Sequence, residues 1–409
     1  MNNFLKIKND CDLVNFIERC AKCSYCLEDK NSHLPICPST EYFHLASHRP
    51  PGRLELARAL IGLYDNIELD LNMDEIVKKF YSCMLCGACD YKCRELTGKS
   101  PLSVFMEVRK ELFNNNIGPP AAHRILFENV LKHGNPQGMP REKRPERILP
   151  LISNSHYINR NAPLLYFVGC VSSYSDNLPS HAANMVRVLM KAETEFRILP
   201  DEPCCSHVLI KTGQENLILD YMKEAFDKVN STGVKQVLFS CPACYRAFKY
   251  EYPKLLGVEP NFECITSSEF IYNLLNEGKL QPNGKGNSEE EVVVTYHDPC
   301  HLGRQSGIYD PPRKILESIK GLKLVEMPRN RENSWCCGVG GGVKTAFPEF
   351  SQKTSEERIN EAKSVGATIL VTACPACESG FKDALKAHKD DNNLKVLNVV
   401  DIIANHLGI

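Results

Sequence analysis

Two stretches decide the reading of this chain: Lys235–Cys244, KQVLFSCPAC, and Ala367–Cys377, ATILVTACPAC. Each carries a short apolar run and closes on Cys-Pro-Ala-Cys. A short apolar run bounded by Pro reads as a strand buried on both faces, the kind found in parallel sheets. The cysteines then fall just past the carboxyl end of the strand, where open α/β sheets bind their ligands.

Working outward, the same arrangement repeats. LLYFVGC ends at Cys170 and VVVTYHDPC at Cys300; RILPDEPCC ends at Cys205 and KLVEMPRNRENSWCC at Cys337. With Cys244 and Cys377, the copies are offset by 130, 132 and 133 residues. Helical patterns, such as 216–229 and 355–364, lie between the strands. Such alternation predicts a mostly parallel sheet in each copy. The expected division is a helical, ferredoxin-like domain at 1–150, then α/β domains at 163–285 and 290–409. The Pro-, Gly- and charge-rich segment 132–152 reads as a solvated linker in preference to a docking arm.

Eighteen of the twenty cysteines fall into four sets. Cys83, Cys86, Cys89 and Cys93 follow C-x2-C-x2-C-x3-C, the spacing of a [4Fe–4S] ligand run. Cys20, Cys23 and Cys26 repeat the triplet, with Cys37 as the fourth thiol. In two-cluster ferredoxins the last cysteine of one run serves the other cluster. One cubane is therefore expected on Cys20, Cys23, Cys26 and Cys93, the other on Cys83, Cys86, Cys89 and Cys37. The remaining sets are Cys170, Cys204, Cys205, Cys241, Cys244 and Cys300, Cys336, Cys337, Cys374, Cys377. Five thiols exceed what a tetrahedral zinc or an ordinary cubane takes. Each set therefore predicts a larger iron–sulfur centre, with the glycines of 338–342 letting backbone N–H groups approach it. Cys11 and Cys264 are left over as core thiols.

Other chemistries are weaker fits. The doubled CPAC could be a thioredoxin-type dithiol, but it recurs in register with three other cysteines. The GVGGG run lacks the spacing of a dinucleotide loop and the lysine of a phosphate loop. Electrons are thus expected from a partner protein. In HDPCHLGR, His301 and Arg304 are candidate substrate-binding residues; a guanidinium suits carboxylate, sulfonate or phosphate. Trp335 is expected to shield the second set from water.

Bulk properties set bounds. The 409 residues are 43% hydrophobic and carry a formal net charge of −1, giving no electrostatic reason to expect nucleic acid. The opening MNNFLKIKND has no apolar signal-peptide core, and no apolar run nears the ~20 residues of a membrane span. A cytoplasmic chain that reaches a membrane only through a partner is the expectation.

The doubled cysteine pattern resembles the cysteine-rich CCG domain. YHDPCHLGR, GIYDPPRKIL and CCGVGGG, with HRPPGRLELARAL earlier, are similar to the family of heterodisulfide reductase D subunits. That resemblance implies an oxidoreductase of methanogenic electron transport. It would carry two [4Fe–4S] cubanes and one or two noncubane [4Fe–4S] clusters, with zinc possible in the first CCG set. It implies the coenzyme M–coenzyme B disulfide as substrate, the ten CCG-set cysteines as catalytic, and a membrane cytochrome b partner as donor at the inner membrane face. Two facing centres would each take one sulfur of the disulfide. The alternative is the iron–sulfur component of a D-lactate, glycolate or glycerol-3-phosphate oxidising complex, fed by a flavoprotein. A zinc-stabilised scaffold is the third reading. Ser206 stands where the family pattern has glycine after the paired cysteines.

Overall fold

A computed structural model of the chain describes residues 11–18, 20–29, 32–63, 72–144, 146–152, 161–282, 291–387 and 393–409. They form two compact units. One comprises Met1–Phe127, Val208–Ile218 and Pro328–Arg358; the other comprises Glu128–His207, Leu219–Met327 and Ile359–Ile409.

The described part of the first unit is helical. Helices Pro50–Leu60, Met73–Tyr81 and Pro101–Asn114 pack around Leu54, Ala57, Phe80, Phe105, Val108 and Leu112. Each begins on a local signal. Asn72 caps Glu75 N and Ser100 caps Ser103 N, while Pro50 and Pro101 occupy first-turn positions that need no N–H donor. Each fully buried large aliphatic or aromatic side chain contributes about 1.5–3 kcal/mol to this core.

The second unit holds both sheets. Strands β1 (Leu164–Phe167), β2 (Phe196–Arg197), β3 (Gln236–Phe239) and β4 (Glu263–Thr266) are parallel, in the order β2-β1-β3-β4. Strands β5 (Val292–His297), β6 (Leu322–Leu324), β7 (Ile369–Thr372) and β8 (Lys395–Asn398) repeat the plan as β6-β5-β7-β8. The parallel sheets and the repeat are as the strand–cysteine–helix pattern implied. Leaving β1, the chain runs first to one edge and then back past it to β3, so the strand order reverses between β1 and β3, and likewise between β5 and β7. That reversal opens a crevice at the carboxyl ends of the central strands.

The two sheets share a core. Helix His181–Lys191 of the first copy packs on Val399–Leu407 of the second, and Ser267–Asn276 packs on Asp310–Glu317. In each pair, the first long helix of one copy meets the last helix of the other, which relates the copies by an approximate twofold.

The expected solvated linker at 132–152 is a docked arm instead. Arg144 is buried against Glu202 at 2.6 Å, and Arg147 donates to the carbonyls of Ser175 and Leu178 at 2.6 and 3.2 Å. Charge and proline content looked like exposure in the sequence. Two of its positive charges, Arg144 and Arg147, in fact serve a buried carboxylate and backbone carbonyls, while Lys132, Arg141 and Lys143 are exposed. Cys264 is buried in β4, and burial pushes its thiol up to about 12. The side chain of Cys11 lies outside the described residues.

Candidate iron–sulfur centres

In the first unit, Cys83 follows the helix Met73–Tyr81, and Cys89 and Cys93 stand one turn apart on Ala88–Thr97. Leu85 (φ 50°) and Gly87 (φ 77°) curl the intervening loop back on itself. Cys37 is the N-cap of the helix Pro38–Phe43. Cys37, Cys83, Cys86 and Cys89 line one small cavity together with Arg53, Leu102 and Phe105. Cys26 is pushed up to about 12, chiefly by burial and then by Cys37, Cys93, Cys20 and Cys23. Burial raises Cys89 too, followed by the charges of Cys26, Cys83, Cys37 and Cys86. Thiols gathered this closely resist joint ionisation. Iron ions supply the positive charge that reverses the preference.

Two arginines, each 0% exposed, frame this loop. Arg109 donates to the carbonyls of Phe80, Tyr81, Cys83, Lys211 and Gly341, at 2.5–3.2 Å. Arg53 reaches the carbonyls of Lys79 and His48 and the hydroxyls of Ser39 and Ser82. Among the described residues neither guanidinium pairs with a carboxylate. A buried cation without an acidic partner is costly. An anionic group in the cavity that Arg53 lines, such as a cluster held by four thiolates, would balance it. Arg53→Gln is expected to lower the midpoint potential of the cluster in that cavity and leave the other unchanged, as read by an EPR-monitored redox titration.

The pair Cys336–Cys337 also belongs to the first unit. The neighbouring Cys337 and Cys86 thiols, and then burial, raise the Cys336 thiol far above the usual thiol range. The glycines that follow serve a close backbone approach. A Cβ on Gly341 (φ 62°) would sit 2.7 Å from the Cys83 carbonyl oxygen, and one on Gly338 (φ 86°) would sit 2.4 Å from that of Ser351. The loop is thereby laid against the Cys83–Met84 backbone. Trp335 is buried, donates Nε1–H to the Thr354 carbonyl at 3.0 Å, and carries the Arg329 guanidinium 4.4 Å above its ring.

In the second unit, Cys170 and Cys241 lie just past β1 and β3, at the strand-order reversal; Cys300 and Cys374 do the same past β5 and β7. The first set forms a continuous run of sulfur contacts. Cys170 neighbours Cys204, Cys204 neighbours Cys205, Cys205 neighbours Cys244 and Cys244 neighbours Cys241. The adjacent Cys204 and then Cys244 thiols hold Cys205 down to about 6. The run continues past the set, because Cys241 also neighbours Cys374, a member of the second. Thus Cys170, Cys204, Cys205, Cys241, Cys244 and Cys374 are brought together. Cys300 and Cys377 are buried in the same unit.

Each turn after a first strand is held by a buried carboxylate that sequence reading passed over. Glu202 accepts from the Val168 and Gly169 N–H groups at 2.7 and 2.9 Å and pairs with Arg144, fixing the turn into Cys170. Asp298 takes both Nη atoms of Arg313 at 2.7 and 2.9 Å, two residues before Cys300; Glu326 holds the other side of that guanidinium. Glu202→Gln would strip Arg144 of its charge partner in a buried site. A loss of about 3–5 kcal/mol is expected in denaturant unfolding. Only the Glu-Pro and Asp-Pro steps before the cysteines hinted at these roles.

Ser206 adopts φ 55°, the same left-handed region as Gly338. The missing glycine leaves the turn formed but with a strained residue, at a cost of about 1 kcal/mol. His301, expected to face substrate, meets His207: their Nε2 atoms are 3.4 Å apart, and His207 Nδ1 lies 2.8 Å from Glu251. Arg304 is half-buried.

The family described as 4Fe-4S dicluster domain matches residues 16–96, and the family described as Cysteine-rich domain (CCG) matches 164–249 and again 294–382. The D subunit of the dihydromethanophenazine:CoB–CoM heterodisulfide reductase of Methanosarcina acetivorans is 33% identical, over 82% of this chain and 80% of its own length. The chain belongs to the family of heterodisulfide reductase D subunits. More distant similarity extends to the B subunit of the CoM/CoB fumarate reductase of Methanothermobacter marburgensis, 29% identical over 79% of this chain and 60% of that one. It extends also to the probable iron-sulfur-binding oxidoreductase FadF of Bacillus subtilis, 27% identical over 80% and 46%. The chain is accordingly an iron–sulfur oxidoreductase. No helix among its described residues is long and apolar enough to cross a membrane.

Proposed function

We propose that this chain is the catalytic component of a heterodisulfide reductase, cleaving the coenzyme M–coenzyme B disulfide to two thiols. The proximity of Cys241 to Cys374 is the observation that carries this reading, since these thiols come from the two different cysteine sets. The proposed domains are 1–150 for the two cubanes and 163–285 and 290–409 for the CCG centres.

The reaction takes two electrons and two protons per S–S bond. The cubanes would be held by Cys20, Cys23, Cys26, Cys93 and by Cys37, Cys83, Cys86, Cys89. Noncubane centres would be held by Cys170, Cys204, Cys205, Cys241, Cys244 and by Cys300, Cys336, Cys337, Cys374, Cys377, with zinc the alternative in the first. When bound, these clusters supply the electrons singly. The chain's own residues do the rest. Arg304 and His301 are proposed to hold an anionic end of the substrate, and Glu202 and Asp298 keep the cysteine turns rigid. A membrane cytochrome b protein is the proposed donor, with the chain peripheral on the inner membrane face.

The test is anaerobic protein, carrying about 16 Fe per chain if all four centres have four irons, mixed with a reduced viologen dye and the heterodisulfide. Two thiols released per disulfide, with matching dye oxidation, is the expected outcome. Iron-replete protein that leaves the dye reduced overturns the proposal. The second reading is an iron–sulfur electron-transfer component of a D-lactate, glycolate or glycerol-3-phosphate oxidising complex fed by a flavoprotein; similarity to an iron-sulfur-binding oxidoreductase is compatible with it. Co-purification with an FAD protein in place of a haem protein would select it.

A further inference from the structure

The second unit contains a group of buried polar side chains that none of the iron–sulfur chemistry uses. His181 is the first residue of the helix His181–Lys191, Glu378 lies in the first turn of Pro375–Ala387, and Asp401 in the first turn of Val399–Leu407. Their side chains are 1%, 0% and 5% exposed. One donor atom from each lies within 4.8 Å of the others, and His181 Nδ1 is 4.0 Å from Glu378 Oε2. That separation is too long for a hydrogen bond. Both ring nitrogens of His181 and the Oε2 of Glu378 are buried without a hydrogen-bond partner.

Each carboxylate is instead held from behind. Asn184 Nδ2 donates to Asp401 Oδ1 at 2.7 Å, and Lys382 Nζ donates to Glu378 Oε1 at 2.6 Å. Outer partners that grip one oxygen and leave the other facing inward are the usual way protein metal ligands are oriented. Charge points the same way. Two carboxylates face one ammonium, and a neutral imidazole adds a lone pair but no charge. A hard cation such as magnesium or calcium would call for more oxygen and no imidazole. One nitrogen and two carboxylate oxygens suit zinc, manganese or ferrous iron, at about 2.0–2.2 Å for zinc.

We propose that His181, Glu378 and Asp401 bind a single divalent transition-metal ion, separate from the iron–sulfur centres. The ion would pin a helix of the first α/β copy to two helices of the second, at the core shared by both sheets. This assignment does not depend on the proposed reaction.

The test is crystallography of the anaerobically purified full chain, with anomalous maps recorded across the manganese, iron and zinc edges. A peak between His181, Glu378 and Asp401 at one of those edges is expected, resolved from any zinc or iron on the cysteines. Asp401→Asn, and separately His181→Gln, should each lose one equivalent of that metal by elemental analysis while the cluster iron remains. Should a variant fail to fold, the wild-type map decides alone. A water, or density without anomalous signal after soaking with Zn(II) and Mn(II), overturns the proposal, as does metal content unchanged in both variants.

Discussion

Arg109→Leu is expected to destabilise the first unit by about 4–5 kcal/mol and to release iron on purification. One guanidinium satisfies five carbonyls there, those of Phe80, Tyr81, Cys83, Lys211 and Gly341. Each carbonyl left buried without a donor costs about 1–3 kcal/mol. Relief from burying a cation offsets part of the sum, which is why the expected value sits below the simple total. Arg109→Lys separates the two contributions. It keeps the charge, but three donors on a single nitrogen cannot span five acceptors in a planar fork. The lysine variant should therefore lose most of the stability while holding the midpoint potential of the neighbouring cluster near its original value. Denaturant titration and redox titration read the two effects separately. Full stability in the leucine variant would show that the carbonyls find other donors.

Cys337→Ala is expected to reduce disulfide cleavage by at least about a hundredfold, some 2.7 kcal/mol in barrier, while both cubane EPR signals persist. Cys337 is buried, its carbonyl is held by Ser355 Oγ at 2.7 Å, and its neighbour Cys336 contacts Cys86. Removing one sulfur from this loop leaves the backbone packing of Gly338 and Gly341 intact, so the fold is expected to survive. Unchanged turnover in the variant would remove the second cysteine set from the reaction. Ser355→Ala is the companion variant. It keeps every sulfur and frees only the carbonyl, and a smaller loss of rate is expected.

Much of the site was legible because its signals are local. The Cys83–Cys93 run reads as a cluster loop since three thiols within seven residues can only face a common point. The strand–cysteine–helix units read as parallel α/β repeats because a buried strand has an apolar signature within four to six residues. The docked arm at 132–152 was misread for a related reason. Arg144 announces a positive charge, but its partner Glu202 lies 58 residues away.

What the order of residues determined alone was composition of the site: which sulfurs exist, in what spacing, and beside which strands. Spacing constrains a ligand run through bond lengths and turn geometry, which act over a few residues. Tertiary structure decided which sulfurs meet. The contact of Cys241 with Cys374, the approach of Cys336 to Cys86, and the five carbonyls gathered by Arg109 each close loops of tens to hundreds of residues. Such closures are selected by the burial of a whole core, a sum over many weak contacts that no short stretch contains.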